Sequence, residues 1–182
     1  IADERVSYIT PDYYVGSVDA TRYLLAAGHR RIGLMTRPAL GVTSEMRLRG
    51  YKAALAAADI PYNPALVVPT RIRQGSGAEA TRHLLGLPEP PTAIFAFHDL
   101  LATEVVNVAR EDGLSVPDDL AVMGFDGLRA GAMTFPQITT MRQPLDYIGR
   151  RVVEILAAQV EDPTIPPIRE TVSVELVRRG SV

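Results

Sequence analysis

Cysteine is absent from the sequence, which removes disulfides, thiolate metal sites and a cysteine nucleophile together. Lys52 is the sole lysine, and no Gly-rich phosphate loop ends on it. The histidines, His29, His83 and His98, are scattered without metal-ligand spacing. Ser76 in Gln74-Gly75-Ser76-Gly77 lacks the Gly-x-Ser-x-Gly spacing and strand context of a hydrolase nucleophile. Catalysis therefore has no constellation to work with, and neither a cofactor nor a metal is expected. Excess positive charge is missing too: a net charge of -2 gives no footprint for a phosphate backbone, so these residues alone are not expected to hold DNA. No apolar run approaches the roughly 20 residues that span a bilayer, and no basic segment leads into an apolar stretch at the start. No membrane partner is expected, and nothing argues for secretion.

What is present is ordinary for a globular chain. Hydrophobic residues make up 47% and charged residues 22% of 182 positions, enough for one good core or two small ones. Tyr14, Val18, Thr21 and Leu25 recur at helical spacing before Gly28, and the apolar run Ile32 to Thr36 reads as a strand buried on both faces. The unit then repeats. Thr43 or Ser44 can cap a helix with Leu48, Tyr51, Leu55 and Ala58 on one face, and Leu66–Val68 follows as a strand. Gly77 to Leu85 is a third helix, and Pro91 introduces the strand Ala93–Phe97. Asp99 can cap a helix running through Leu101, Val105 and Val108 to Gly113, and Leu120–Phe125 is the next strand. Strands alternating with helices predict an α/β domain with a parallel sheet covered on both faces.

The rhythm changes near the end. Thr139–Arg142 and Gln143-Pro144 precede a helix carrying Leu145, Ile148, Val152 and Ile155. Pro163, Pro166 and Pro167 then form a stiff linker before a final strand through Val172, Val174 and Leu176. A late helix between two extended segments predicts a chain that leaves one lobe, adds a helix to another, and returns.

Pro91 through Asp126 is the most distinctive stretch: strand, polar tip, helix, glycine stop, turn, strand, polar tip. In an open parallel sheet ligands bind at the carboxyl ends of strands, where His98 and Asp126 fall. Each has a plain structural alternative, a backbone bond at the strand end for His98 and a turn before Gly127 for Asp126.

This run resembles the signature of the lactose/galactose-repressor (LacI/GalR) family of transcription regulators. So do Gly28-His29-Arg30-Arg31-Ile32-Gly33, Arg47-Leu48-Arg49-Gly50-Tyr51 and Thr139-Thr140-Met141-Arg142-Gln143-Pro144, in the family's order and across nearly the whole chain. The resemblance implies a periplasmic-binding-protein-like domain: two lobes with parallel sheets flanked by helices, joined by three crossing segments, with a small effector in the cleft. On it, residues 1–36 with 143–164 form a partial first lobe and 37–142 with 165–182 the second. It also implies a longer functional protein, in which a helix-turn-helix headpiece, a hinge helix and the first βα units precede Ile1, so that the first lobe is incomplete here.

Carried over residue by residue, the resemblance makes Arg47 and Asp126 the facing donor fork and acceptor of a ligand wall, suited to the hydroxyls of a sugar, polyol or nucleoside. The alternative for Arg47 is a solvated helix charge. His98 stands where the family leads one to expect Asn, and Gly127 replaces a second polar residue. Ile72 lies near where relatives place an aromatic over the ligand. Gln143 either touches ligand or pins the hinge, and Tyr13 matches a position near the cleft, with a turn after Pro11 as its alternative. The expected protein is a cytoplasmic, homodimeric bacterial regulator that meets DNA only through its headpiece; a periplasmic sugar-binding protein of a transport system is the alternative.

Overall fold

All five residues of strand β2 (Ile32–Thr36) are buried, as a strand covered on both faces requires. In the computed structural model, which describes residues 4–71 and 73–182, β2 lies inside a six-stranded sheet. The other strands are β3 (Val67–Pro69), β4 (Ala93–Phe95), β5 (Ala121–Asp126), β6 (Thr139–Arg142) and β8 (Glu175–Val177). Their order is β3-β2-β4-β5-β6-β8, parallel except where β8 runs against β6.

Alternation along the strands builds two separate cores. Ile32, Leu34, Ala93, Phe95, Met123 and Phe125 point to one face, beneath α1 (Tyr13–Ala26) and α2 (Val42–Ala56). Met35, Ile94 and Val122 point to the other, beneath α3 (Ser76–Leu85) and α4 (Asp99–Glu111). Burying Leu24, Ile32, Leu34, Tyr51, Phe95 and Phe125 to 1% exposure or less is worth roughly 1.5–3 kcal/mol per side chain. Helix α1 packs against α2 at Gly50, where a Cβ would stand 2.4 Å from the Tyr14 carbonyl oxygen. A short helix, α5 (Arg129–Ala132), links β5 to β6.

The remaining elements make a small second sheet. Strand β1 (Tyr8–Pro11) pairs in parallel with β7 (Arg169–Val172), and α6 (Leu145–Glu161) lies against β1. Of the apolar stripe on α6 only Ile155 is buried, while Leu145, Val153, Leu156 and Val160 are exposed. The chain passes between the sheets around Asp12, around Gln143 and Pro144, and between β7 and β8, which are separated by Ser173 and Val174.

Several expectations move. The lobe boundaries read from the sequence do not follow the sheets: α1 and β2, assigned to the first lobe, belong to the larger unit, because β2 pairs with β3 and β4. Strand β7, assigned to the second lobe, pairs with β1. The single final strand is two strands in different sheets, interrupted at the crossing. Strand β3 begins at Val67 because Pro64–Leu66 forms a 3-10 turn. Neither Thr43 nor Ser44 caps α2; the cap position is Gly41, and Ser44 Oγ instead accepts from Arg37 N at 3.2 Å. Among the described residues no helix is long and apolar enough to cross a membrane.

Candidate functional site

The carboxyl ends of β2, β4, β5 and β6 lead into Arg37, Phe97 with His98, Asp126 and Gln143 respectively, the edge at which parallel sheets present ligand groups. A buried carboxylate braces this edge. Asp99 is fully buried and accepts from Leu128 N at 2.5 Å and Thr140 Oγ1 at 2.6 Å, tying α4 to the segment after β5 and to β6. Gly124 makes room for it, since a Cβ there would lie 2.2 Å from Asp99 Oδ1. Burial raises the Asp99 pKa, against the pull of these donors.

The expected cap role of Asp99 belongs to its neighbour. His98 is the N-cap of α4: its backbone is extended and its Nδ1 accepts from Leu101 N at 3.2 Å. The helix starts one residue before the aspartate-capped reading, so Asp99 is its first helical residue and turns inward. Burial, reinforced by the Arg37 and Arg47 guanidiniums, lowers the His98 pKa to about 4. The ring is neutral at pH 7, and with Nδ1 engaged as acceptor the proton resides on Nε2. His98 thus preserves what an Asn at a cap would offer, an acceptor turned inward and an N–H donor left over.

Arg47 is not a solvated helix charge. It is 3% exposed and its guanidinium carbon lies 4.4, 4.0 and 4.1 Å from the ring centroids of Tyr13, Phe97 and Phe125, within range of cation–π attraction. Its Nη2 donates to Asp126 Oδ1 at 3.3 Å, and its buried Nε has no partner among the described residues. Burial lowers the Arg47 pKa to about 10, with Asp126 opposing the shift.

Asp126 closes β5 at φ 103 and is followed by Gly127 at φ 76. Its Oδ1 also accepts from Gln143 Nε2 at 2.5 Å, and its carbonyl accepts from Gln143 N at 3.2 Å. Burial pushes the carboxyl up to about 6, with Arg47 and Gln143 pulling the other way.

Four of the six residues singled out in the sequence, Arg47, Asp126, Gln143 and Tyr13, therefore form one contact cluster. The turn role after Pro11 falls to Asp12, which caps α1 by accepting from Val15 N at 2.9 Å. Tyr13 is then free to set its ring 6.0 Å from that of Phe125; burial raises its pKa. His98 adjoins the cluster through Phe97, with ring centroids 6.2 Å apart. Ile72 lies outside the described residues. Sequence reasoning missed Phe97 and Arg37, although both sit at the ends of strands it had drawn, and the strand-end rule that found His98 and Asp126 applies equally to them. Among the described residues no cluster of His, Asp and Glu is arranged to hold a metal ion.

This geometry has relatives. The chain belongs to the periplasmic binding protein-like domain family, whose model matches residues 21–182. It is 34% identical over 181 residues to the HTH-type transcriptional regulator CelR of Thermobifida fusca, covering 100% of this chain and 53% of that protein. It is 34% identical over 170 residues to the HTH-type transcriptional repressor CytR of Escherichia coli strain K12, covering 93% of this chain and 50% of that one. The solved structure of a CelR–cellobiose complex superposes with a TM-score of 0.92 at 34% identity, covering 100% of this chain and 56% of that one. The chain thus spans about half the length of the curated relatives it matches. Both are HTH-type transcription factors, a regulator and a repressor.

Proposed function

We propose that this chain is the effector-binding part of a bacterial LacI-type transcription regulator, and that the Arg47–Asp126–Gln143 cluster is one wall of the effector cleft. The observation that carries the reading is the position of that cluster: a buried guanidinium and an acceptor carboxylate meet at the strand ends, beside the segment where the chain crosses to the smaller sheet. Opposed donor and acceptor groups flanked by aromatic rings suit a polyhydroxylated ring, whose hydroxyls need both and whose C–H face packs on apolar carbon. A sugar, polyol or nucleoside is the class of effector proposed, consistent with cellobiose in the CelR complex.

On this reading the six-stranded unit is the second lobe. Strands β1 and β7 with α6 belong to a first lobe whose further elements cover the exposed stripe of α6. DNA is contacted by a helix-turn-helix headpiece outside this chain, in a cytoplasmic homodimer. Effector binding changes DNA affinity only to the extent that it discriminates between two lobe arrangements. The named relatives are regulators, which favours sensing over a transport receptor.

A thermal-shift screen of the full-length protein against sugars, polyols and nucleosides tests the reading. A ligand at 100 times its dissociation constant adds about 2.7 kcal/mol, and Arg47→Ala and Asp126→Ala are each expected to abolish the shift. A shift that survives in both variants places the ligand elsewhere.

A further inference from the structure

Arg37 is a charged group at this edge that the cluster leaves out. It follows β2 directly and its guanidinium carbon lies 5.9 Å from the centroid of the Phe97 ring, the same ring that Arg47 approaches at 4.0 Å. Two guanidiniums therefore flank one aromatic side chain, close enough for a single small ligand to touch both. Their circumstances differ. Arg47 has a carboxylate partner; among the described residues the Arg37 guanidinium has a long contact from Nη2 to the Arg71 carbonyl at 3.4 Å, and its buried Nε has no partner. A buried donor left unmet costs about 1–3 kcal/mol.

The nearby carboxylates are already engaged. Asp126 holds Arg47 and Gln143, and Asp99 holds Leu128 N and Thr140. Glu104 accepts from Gly75 N at 3.2 Å and Ala78 N at 2.9 Å. Arg73 and Arg82 are neutralised by Glu79 and Glu111. A cationic surplus remains at Arg37, beside the neutral His98 ring with its Nε2–H donor. Arg37 and His98 also stand together in the lining of an open groove of about 710 Å³, which continues between α3 and α4 past Gln74, Gly75 and Asn107 and does not include Arg47 or Asp126.

We propose that Arg37 and His98 form a subsite for an oxyanion carried by the effector, a phosphomonoester or a carboxylate attached to a sugar-like body. The body meets Arg47 and Asp126 while the anionic group enters the head of the groove. A guanidinium presents a fork of donors that fits such an oxyanion bidentately, and charge-assisted bonds of this kind are about twice as strong as neutral ones. A neutral sugar supplies hydroxyls to Arg37 but no charge. The inference rests on the sensing function proposed above and narrows the class of effector.

The test is calorimetric titration of the full-length protein with matched pairs: ribose against ribose 5-phosphate, and glucose against glucose 6-phosphate and glucuronate, with inorganic phosphate alone as a further arm. The expected result is binding about tenfold or more tighter for an anionic member than for its neutral partner, with a preference that shrinks as salt is raised. Arg37→Gln is expected to reduce the ratio to about one, and Arg37→Lys, which keeps the charge without the fork, to retain part of it. Neutral sugars that bind as well as their anionic partners, or a preference unchanged in Arg37→Gln, overturn this subsite and leave the sensing function standing. Inorganic phosphate that binds as tightly as the sugar phosphates assigns the place to a free anion and also overturns it. Failure of every member of the panel to bind, while neutral compounds of the thermal-shift screen do bind, overturns the subsite alone; failure of the panel and the screen alike overturns the sensing function with it.

Discussion

Two titrations at the site edge run in opposite directions and should be separable by mutation. Burial raises the Asp126 carboxyl from 3.8 to about 6 and lowers the His98 imidazole from 6.5 to about 4. Each displacement corresponds to about 3 kcal/mol of stability difference across its window, and to less for His98, whose ring is partly reached by water. A carboxyl whose folded pKa lies above its unfolded value favours folding when protonated. The Asp126 contribution is thus fully present below pH 3.8 and is lost as pH rises through about 6. An imidazole with a depressed folded pKa acts the other way: the His98 contribution is fully present above pH 6.5 and is lost as pH falls through about 4.

In the unaltered protein these two contributions offset each other between about pH 4 and pH 6. Single substitutions uncover them. Asp126→Asn removes the acid while tolerating the positive φ of that position, and His98→Asn removes the base while keeping a side-chain acceptor for the start of α4. Urea unfolding followed by circular dichroism from about pH 4 to about pH 7 gives the stability of each variant. Subtracting each from the parent cancels the titrations they share. The stability of the parent minus that of the Asp126→Asn variant should fall with rising pH, and the corresponding difference for the His98→Asn variant should rise. Two difference curves with the same slope, or both flat within about 0.5 kcal/mol, refute the reasoning.

Gly124→Ala places a Cβ 2.2 Å from Asp99 Oδ1 and displaces the brace, for an expected loss of about 3 kcal/mol in chemical denaturation. Combining it with Asp99→Ala should cost less than the sum of the two single changes, as a double-mutant cycle reads directly. Gly50→Ala forces α1 away from α2 at the Tyr14 carbonyl; overpacking of about 1–3 kcal/mol outweighs a helix-propensity gain of about 1 kcal/mol, and the melting temperature should drop. Gln143→Leu deletes the bond that holds the Asp126 pKa down, so that carboxyl should titrate above its parent value in a carbon-detected NMR experiment. An unchanged or lower value counts against the contact.

The layered α/β plan was legible because every central strand is bounded by residues of fixed local meaning. Ile32–Thr36 and Thr139–Arg142 fall where the sequence places them, the first flanked by Arg31 and Arg37 and the second followed closely by Pro144. The lobe boundary was not legible. It depends on which strands pair, and an apolar strand such as β2 carries nothing that distinguishes one parallel sheet from another. Residues Val172 to Leu176 alternate in hydropathy across a crossing, so two strands read as one. At the site, Arg47 and Asp126 could be named from their pattern. The exchange of roles between His98 and Asp99 could not, because it turns on a one-residue shift in the helix start and on the space left by Gly124.

The cluster in this structure is already hydrogen-bonded to itself, and that shapes how it would respond to an effector. Asp126 accepts from Arg47 and from Gln143, so a ligand hydroxyl aimed at the carboxylate exchanges a contact instead of adding one, and its net gain is modest. Gln143 stands between β6 and α6, at a crossing. A ligand that displaces its side chain from Asp126 acts on the link between the two sheets, while the backbone bond from Gln143 N to Asp126 O keeps the crossing anchored. Rigid support is supplied from behind by Asp99, Thr140 and Leu128, leaving the side-chain contact to Gln143 as the exchangeable element. The same carboxylate can therefore report binding at the strand ends and influence the crossing beside it, without a separate relay between site and hinge.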